Sequence, residues 1–399
     1  MNVEIFDHCI VGGGVSGIYI AMQLFQKKEN FILLEKYFNS DEIGKIRSMN
    51  VPVPSKPFST TTTNHTFELG PSIFHTNQKR FSRLLQFLEL DTKVKTFDKG
   101  TTDLIYKGFT PEQASAHFDL LKKRVKNASL NAKTQTLDDI AQSILTSKDY
   151  AFFKTCWSCW YENSQMNAKA YFQSEEQEGQ YAYLQGGLSQ ITQQAQSIFR
   201  NLYRTGIIVD SVEDKGYYFL VSYYKNNDKS RIFFIRCRHL YICTSLENCS
   251  EIKFKHLPLF RDYCKLGKTL SSLRFFTILH QPIDYPKNEL AGQIESRWIL
   301  KHTKRIWLGP YVDGQSADFM MSLGKKELED RVLHDLKQPR ENLLKSIGAY
   351  WKHAFTILKP EFYSHPHKLF TLIPDRLYST VLPHPNDQAW MEGHLFDIP

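Results

Sequence analysis

The chain has 399 residues, enough for two or three domains, with 42% hydrophobic and 14% aromatic residues to fill their cores. Its formal charge of +8 is scattered, which argues against a nucleic-acid-binding protein, and no run approaches the roughly 20 apolar residues of a membrane helix. Residues 1–8 carry acids and no basic stretch, so no secretory signal is expected, and an odd count of 7 cysteines fits reduced thiols in a cytosol-like compartment.

The first predicted element is a buried strand closing on Cys9, Ile10 and Val11. Gly12, Gly14 and Gly17 follow with G-x-G-x-x-G spacing, and an amphipathic helix continues through Ile18, Ile20, Ala21 and Leu24. A second apolar strand, Ile32 to Leu34, ends in Glu35. That acid stands about 20 residues beyond the glycines, where a carboxylate accepts hydrogen bonds from a ribose. The glycines serve three physical needs, namely a tight turn, backbone approach to a pyrophosphate, and close helix–strand packing. The helix N-terminus adds free N–H groups and a positive dipole end for the phosphates. Strand, turn, helix, strand and acid in this order predict a dinucleotide-binding βαβ unit.

Further along, Thr60–Thr63 with Asn64 reads as a polar loop, and Phe81, Leu84, Leu85 and Leu88 stand at helical spacing as core residues. Lys122, Lys123, Arg124 and Lys126 read as a solvated helix face. In "YAFFKTCWSCWYE", Phe152, Phe153, Cys156, Trp157 and Trp160 mark an apolar helix face. The C-x-x-C of Cys156 and Cys159 has no second pair to complete a zinc site, so both are read as buried core thiols and no metal site is predicted. The runs "GIIVDSVEDKGYYFLVSYY", "RIFFIRCRHLYICTSL", "LRFFTILH" and "RIWLGPYV" predict strands, and "KKELEDRVLHDLK" a charged helix. His75, His302 and His353 show no ligand spacing and are read as surface or core residues.

A second group of motifs follows the βαβ unit: Gly44, Ile46, Arg47 and Ser48; Glu68, Leu69, Gly70 and Phe74; then "YLQGGLSQITQQ" (183–194). "RHLYICTSL" (238–246), "AYWKHAFTILKP" (349–360) and "QAWMEGHL" (388–395) complete the series. As an ordered set they resemble the flavin-containing amine oxidases, the group of monoamine and polyamine oxidases and their viral relatives. The resemblance spans almost the entire chain. It implies an α/β fold, a Rossmann-like FAD-binding domain with a second mixed α/β substrate domain. The FAD domain would be discontinuous, over residues 1–75, 183–255 and 365–399, with the substrate domain at 76–182 and 256–364. Implied FAD contacts are Gly12, Gly14, Gly17, Glu35, Lys45, Arg47 and the backbone of Val209, while Trp390 matches an aromatic wall for a small-molecule amine. A cytoplasmic or virion location goes with this reading.

Several positions depart from the family pattern. Lys45 stands where the family has an arginine, keeping charge but losing the planar fork that grips phosphate, and Ile43 replaces a glycine. Ile73 replaces an arginine, and Pro71 removes a backbone donor. Aligning "QAWMEGHL" without gaps puts Val381 and Leu382 on a Gly-Glu pair that normally meets the pyrophosphate and ribityl chain; a gapped alternative places Asp375 on the acid. The second aromatic wall falls near Ala354 and Phe355. These changes predict slow or lost amine oxidation. Three readings stay open: an FAD-dependent amine oxidoreductase, a catalytically degenerate structural or interaction protein, and a UDP-galactopyranose mutase-like flavoprotein, whose G-A-H-I-F-H-T-N stretch is close to "GPSIFHTN" (70–77).

Overall fold

The computed structural model describes residues 3–38, 44–55, 59–97, 108–132, 134–157, 160–175, 179–225, 228–283, 300–303, 305–360, 376–380, 382 and 398. The chain opens with β1 (Val3–Val11), α1 (Val15–Gln26) and β2 (Phe31–Leu34). β1 and β2 run parallel with Val11 opposite Leu34, as a right-handed crossover through a helix requires. An antiparallel pair follows, β3 (Ser48–Pro54) and β4 (Thr62–Glu68). The polar loop expected at Thr60–Asn64 is therefore shorter: Thr62, Thr63 and Asn64 belong to β4. β-branched threonines suit a pleated ribbon, and the buried Val51, Val53 and Phe67 anchor it.

Next come β5 (Phe74–His75), α2 (Lys79–Phe87) and β6 (Val94–Phe97). Five helices then stack: α3 (Pro111–Ser129), α4 (Leu137–Ile144), α5 (Ser147–Cys156), α6 (Trp160–Asn163) and α7 (Ala168–Glu175). Capping boxes start two of them, Thr110 with Gln113 and Thr136 with Asp139, and Thr146 caps α5. Leu121, Val125, Phe152, Phe153, Trp157 and Trp160 form their common core, leaving Lys123 and Arg124 in solvent. Cys156 is only partly buried, because it closes the last turn of α5 at the edge of that core; Cys159 lies outside the described residues.

β7 (Tyr181–Leu184) completes a three-stranded sheet with β5 and β6 and leads into α8 (Gln190–Phe199). β8 (Tyr203–Arg204), β9 (Ile207–Asp214), β10 (Phe219–Lys225), β11 (Asp228–Ile242), α9 (Leu246–Glu251), β12 (Lys253–Lys255) and α10 (Pro258–Cys264) follow. A four-stranded sheet is built from β13 (Gly267–Leu279), β14 (Leu300–Thr303), β15 (Ile306–Asp313) and β16 (Leu343–Leu358), with α11 (Gly314–Ser322) and α12 (Gly324–Asp335) packed on it. β17 (Leu377–Ser379) is the last described strand.

An 8-stranded sheet organises the molecule, in the order β12-β9-β10-β11-β1-β2-β8, with β17 added parallel to β11. Strands from the beginning, middle and end of the chain thus meet side by side. One face packs on α1, α2 and α8, where Phe81, Leu84, Leu85 and Leu88 share a core with Ile18 and Ile20; the other packs on α9 and α10. The fold class is a Rossmann-like α/β unit joined to a second mixed α/β unit, as the sequence predicts. No described helix is long and apolar enough to cross a membrane, and no cluster of three metal-ligating side chains occurs among the described residues.

Candidate functional site

The glycine turn sits at the carboxyl end of β1, and its three glycines do different work. Gly12 takes φ +110°, and a Cβ there would lie 2.4 Å from the carbonyl oxygen of Cys243 at the end of β11. A Cβ on Gly17 would lie 1.9 Å from the carbonyl oxygen of Gly12. These two are held by packing. Gly14 is different: among the described residues the nearest atom to an added Cβ is the Cα of Gly44 at 3.7 Å. Gly14 is also the N-cap of α1, and the first-turn N–H groups receive no side-chain cap from it.

Glu35 closes the turn from β2. Its Oε2 accepts the Gly13 N–H at 2.7 Å and its Oε1 accepts the Tyr37 N–H at 2.9 Å. Burial pushes this carboxyl above its ordinary range, against the opposing hydrogen bonds from Tyr37 and Gly13. A carboxylate has about four acceptor positions, so lone pairs remain for a hydroxyl. Tyr203 grips the same peptide from the other side, donating its hydroxyl to the Gly13 carbonyl at 2.6 Å. β9 arrives beside Glu35, the Ile207 N–H donating to the Glu35 carbonyl at 2.8 Å, and Val209 follows two residues later, buried in that strand.

Cations line the crossing turn. Lys45 and Arg47 follow Gly44, which has φ +64° and lies against Gly14. Among the described residues neither side chain has a hydrogen-bonding or ion-pair partner, and both are partly buried. Burial pushes the Lys45 ammonium down to about 8, with Glu247 acting in the opposite direction. Gly70 packs on this turn so tightly that a Cβ would lie 1.8 Å from the Lys45 carbonyl oxygen. The structure thus brings Gly12, Gly14, Gly17, Glu35, Lys45, Arg47 and Val209 around one corner of the large sheet. Trp390 lies outside the described residues, as do Asp375 and Val381.

Three further features escape sequence reasoning. Glu68 accepts the Leu188 N–H at 2.6 Å and the Ser48 hydroxyl at 2.9 Å, while Ser48 Oγ accepts the Ser189 N–H at 3.0 Å. A carboxylate 120 residues away therefore anchors the entry to α8. Burial raises Glu68 to about 7, the Leu188 and Ser48 hydrogen bonds and Arg274 opposing it. Arg274 of β13 is buried and donates Nη1 to the carbonyls of Glu68, at 3.0 Å, and Gly70, while Trp351 Nε1 donates to the Leu69 carbonyl at 2.7 Å. A guanidinium absent at Ile73 thus reaches the same stretch from the second sheet. The signal in the sequence was a single arginine inside the apolar run "LRFFTIL". Third, the Glu162 N–H donates to Asp313 Oδ2 at 2.7 Å, and burial together with the Asp313 charge pushes the Glu162 carboxyl up to about 8.

Leu382, set by the ungapped alignment on the ribityl-side acid, is buried and packs on Gly267, where a Cβ would lie 2.4 Å from its Cδ2. His353 is not a bystander: its Nε2 meets Glu247 at 3.1 Å and its Nδ1 meets Thr269 Oγ1 at 2.8 Å.

No family model and no curated protein matches this sequence. Solved structures do. A triple mutant of putrescine oxidase redesigned in its cofactor binding superimposes with TM-score 0.72 at 13% identity, over 98% of this chain and 97% of that one. Wild-type putrescine oxidase bound to putrescine gives TM-score 0.71 at 13% identity with the same coverage. This chain has the amine-oxidase fold. Cyclohexylamine oxidase from Brevibacterium oxydans IH-35A shares that fold with TM-score 0.64 at 13% identity, covering 98% of this chain and 96% of its own. The amine-oxidase fold thus extends over nearly the whole length of both chains.

Proposed function

We propose that this chain binds FAD at the glycine corner and acts as an amine oxidoreductase of low turnover. The observation that carries the reading is the room left beside Gly14 by the described residues, at a helix N-terminus with no side-chain cap and next to the cations Lys45 and Arg47, which have no ion-pair partner among the described residues. That combination fits a pyrophosphate: N–H groups to donate, positive charge to neutralise, and no side chain in the way. Bound FAD would supply the two-electron acceptor for an amine C–N bond. The chain's own part is to hold and orient: Glu35 for the ribose, Val209 for the adenine edge, Lys45 and Arg47 for the phosphates, and Trp390 for the amine.

The same reading assigns residues 1–75, 183–255 and 365–399 to the FAD domain, and 76–182 and 256–364 to the substrate domain. It is supported by the large sheet, which draws its strands from β1 and β2, β8 to β12, and β17; α2, inside the 76–182 segment, is the exception, since its Phe81, Leu84 and Leu85 share that sheet's core with Ile18 and Ile20. Low turnover follows from Leu382, which gives its side chain to the apolar core instead of a polar ribityl contact. Small misplacements of a reacting pair cost orders of magnitude in rate.

The buried Leu382 also favours a second reading, a degenerate scaffold of the same fold that works through protein partners. Absorption of the purified chain incubated with FAD and desalted separates the two. Bands near about 370 and 450 nm, together with peroxide formed from putrescine or cyclohexylamine, support the oxidoreductase. A folded protein that retains no flavin supports the scaffold.

A further inference from the structure

Cys249 in α9 and Cys264 at the end of α10 place their sulfurs 3.7 Å apart. Cys249 is 1% exposed, Cys264 is partly exposed, and both lie at the apolar layer formed by Phe254, Leu257, Phe260 and Tyr263. A disulfide requires about 2.05 Å between sulfurs, so closure brings the two sulfurs less than 2 Å nearer. We propose that Cys249 and Cys264 form an oxidisable dithiol, a peroxide-reactive modification site that closes into a disulfide and clamps α9 to α10.

The pair is asymmetric in the way such chemistry needs. Cys264 has access to solvent, and the hydrogen bond from Cys249 holds its thiol below the usual range, opposed by burial. The thiolate is the nucleophile. Cys264 sulfur attacks one peroxide oxygen, the S–O bond forms, the O–O bond breaks, and hydroxide leaves and is protonated to water. Cys249 sulfur then attacks the sulfenic sulfur, the S–S bond forms, and the second hydroxide leaves with the Cys249 proton as water. Two thiols lose two electrons and two protons, and one hydrogen peroxide becomes two waters.

The closed segment contains β12, the edge strand paired parallel to β9 at Lys253–Ser211, Phe254–Val212 and Lys255–Glu213. α9 also carries Glu247, which pairs with His353 of β16 at 3.1 Å. A bridge between 249 and 264 therefore pins the sheet edge beside the strand of Val209. Cys9 and Cys237 also hydrogen-bond to one another, but both are buried inside the large sheet without the solvent access of Cys264; Cys243 is buried there too, and Cys156 sits in the helical layer.

The test uses the reduced full chain, with or without flavin. After hydrogen peroxide treatment and alkylation of remaining thiols, non-reducing digestion and mass spectrometry should yield peptides linked through Cys249 and Cys264, released by dithiothreitol. Cys264→Ser and, separately, Cys249→Ala should abolish that link; Cys249 then stays alkylatable after denaturation in the first variant, whereas Cys264 is trapped as its sulfenic or sulfinic acid in the second. Hydrogen exchange of the Lys253–Lys255 amides should slow at least severalfold in the oxidised wild type and stay unchanged in either variant. Accumulation of Cys264 sulfinic acid beside a free Cys249 thiol, or pairing of Cys249 with another cysteine, overturns the site. Unchanged exchange in the linked protein overturns the clamp.

Discussion

Among the described residues, the Cα of Gly44 is the nearest atom that a side chain on Gly14 would meet, at 3.7 Å, so these residues leave room there. Gly17, by contrast, has a carbonyl oxygen 1.9 Å from the position of a Cβ. The two glycines therefore separate ligand approach from packing. Gly14→Ala should cost about 1 kcal/mol of stability as a weaker N-cap, yet remove most flavin binding. Gly17→Ala should cost about 3 kcal/mol, the upper end for overpacking. Thermal unfolding without FAD, read beside flavin content, tests both; equal flavin retention in Gly14→Ala and wild type would sink the placement of the pyrophosphate.

Lys45 predicts how flavin affinity depends on pH. Its folded value, lowered to about 8 by burial, leaves the ammonium largely charged at pH 7 and increasingly neutral above pH 8. A bound diphosphate favours the charged form, so binding at higher pH must take up a proton. FAD affinity should fall as pH rises from about 8 to 10. In Lys45→Met the slope should vanish, with a loss of about 1.5–3 kcal/mol at pH 7, the range for a hydrogen bond to a charged group. Titration calorimetry at several pH values measures both.

Glu162 makes a claim on stability. Its folded value, about 8, lies above the ordinary 4.5, so between these values the folded state binds more protons than the unfolded one. Stability from this group is complete below pH 4.5 and is lost as pH rises towards 8. Glu162→Gln removes that loss. Denaturant midpoints should show the variant gaining on wild type from pH 5 to pH 8.5; parallel curves would refute the paired-carboxylate account.

Arg274 joins the second sheet to the Glu68–Gly70 stretch. Arg274→Met keeps much of the side-chain bulk but leaves the Glu68 and Gly70 carbonyls without their donor. An unsatisfied buried group costs about 1–3 kcal/mol. Proteolysis between the two units should accelerate in proportion, with the Trp351→Phe variant showing a smaller effect because only the Leu69 carbonyl loses its partner.

Local periodicity made much of this architecture legible. The βαβ unit and the apolar face of α2 follow from their spacing and β13 from a continuous apolar run, whereas the capping boxes at Thr110 and Thr136 emerge only in the structure. What stayed hidden depends on contacts between distant residues. A run of threonines is polar enough for a loop, and only the partner strand β3 makes Thr62–Asn64 a strand. Arg274 and Glu68 are 206 residues apart, and the fold alone decides that the guanidinium of one binds the carbonyl of the other. The Glu35 position was readable from spacing, whereas its grip on Gly13 and the opposing grip of Tyr203 were not.

β1 is flanked by β2 from the same βαβ unit and by β11, and His8 and Tyr241, 233 residues apart, share a hydrogen bond across that second junction. Gln23 of α1 likewise accepts the N–H of Ile398, 375 residues away. During synthesis, the strand that carries the glycine turn emerges well before β11, 233 residues separating His8 from Tyr241, so one of its edges lacks that partner while the intervening segments are made. An unpaired apolar strand invites pairing with other chains. Assembly of this sheet is consequently a late, slow event dominated by long-range closure. Yield on expression should therefore respond to chaperone supply and growth temperature more strongly than the equilibrium stability of the finished fold would suggest.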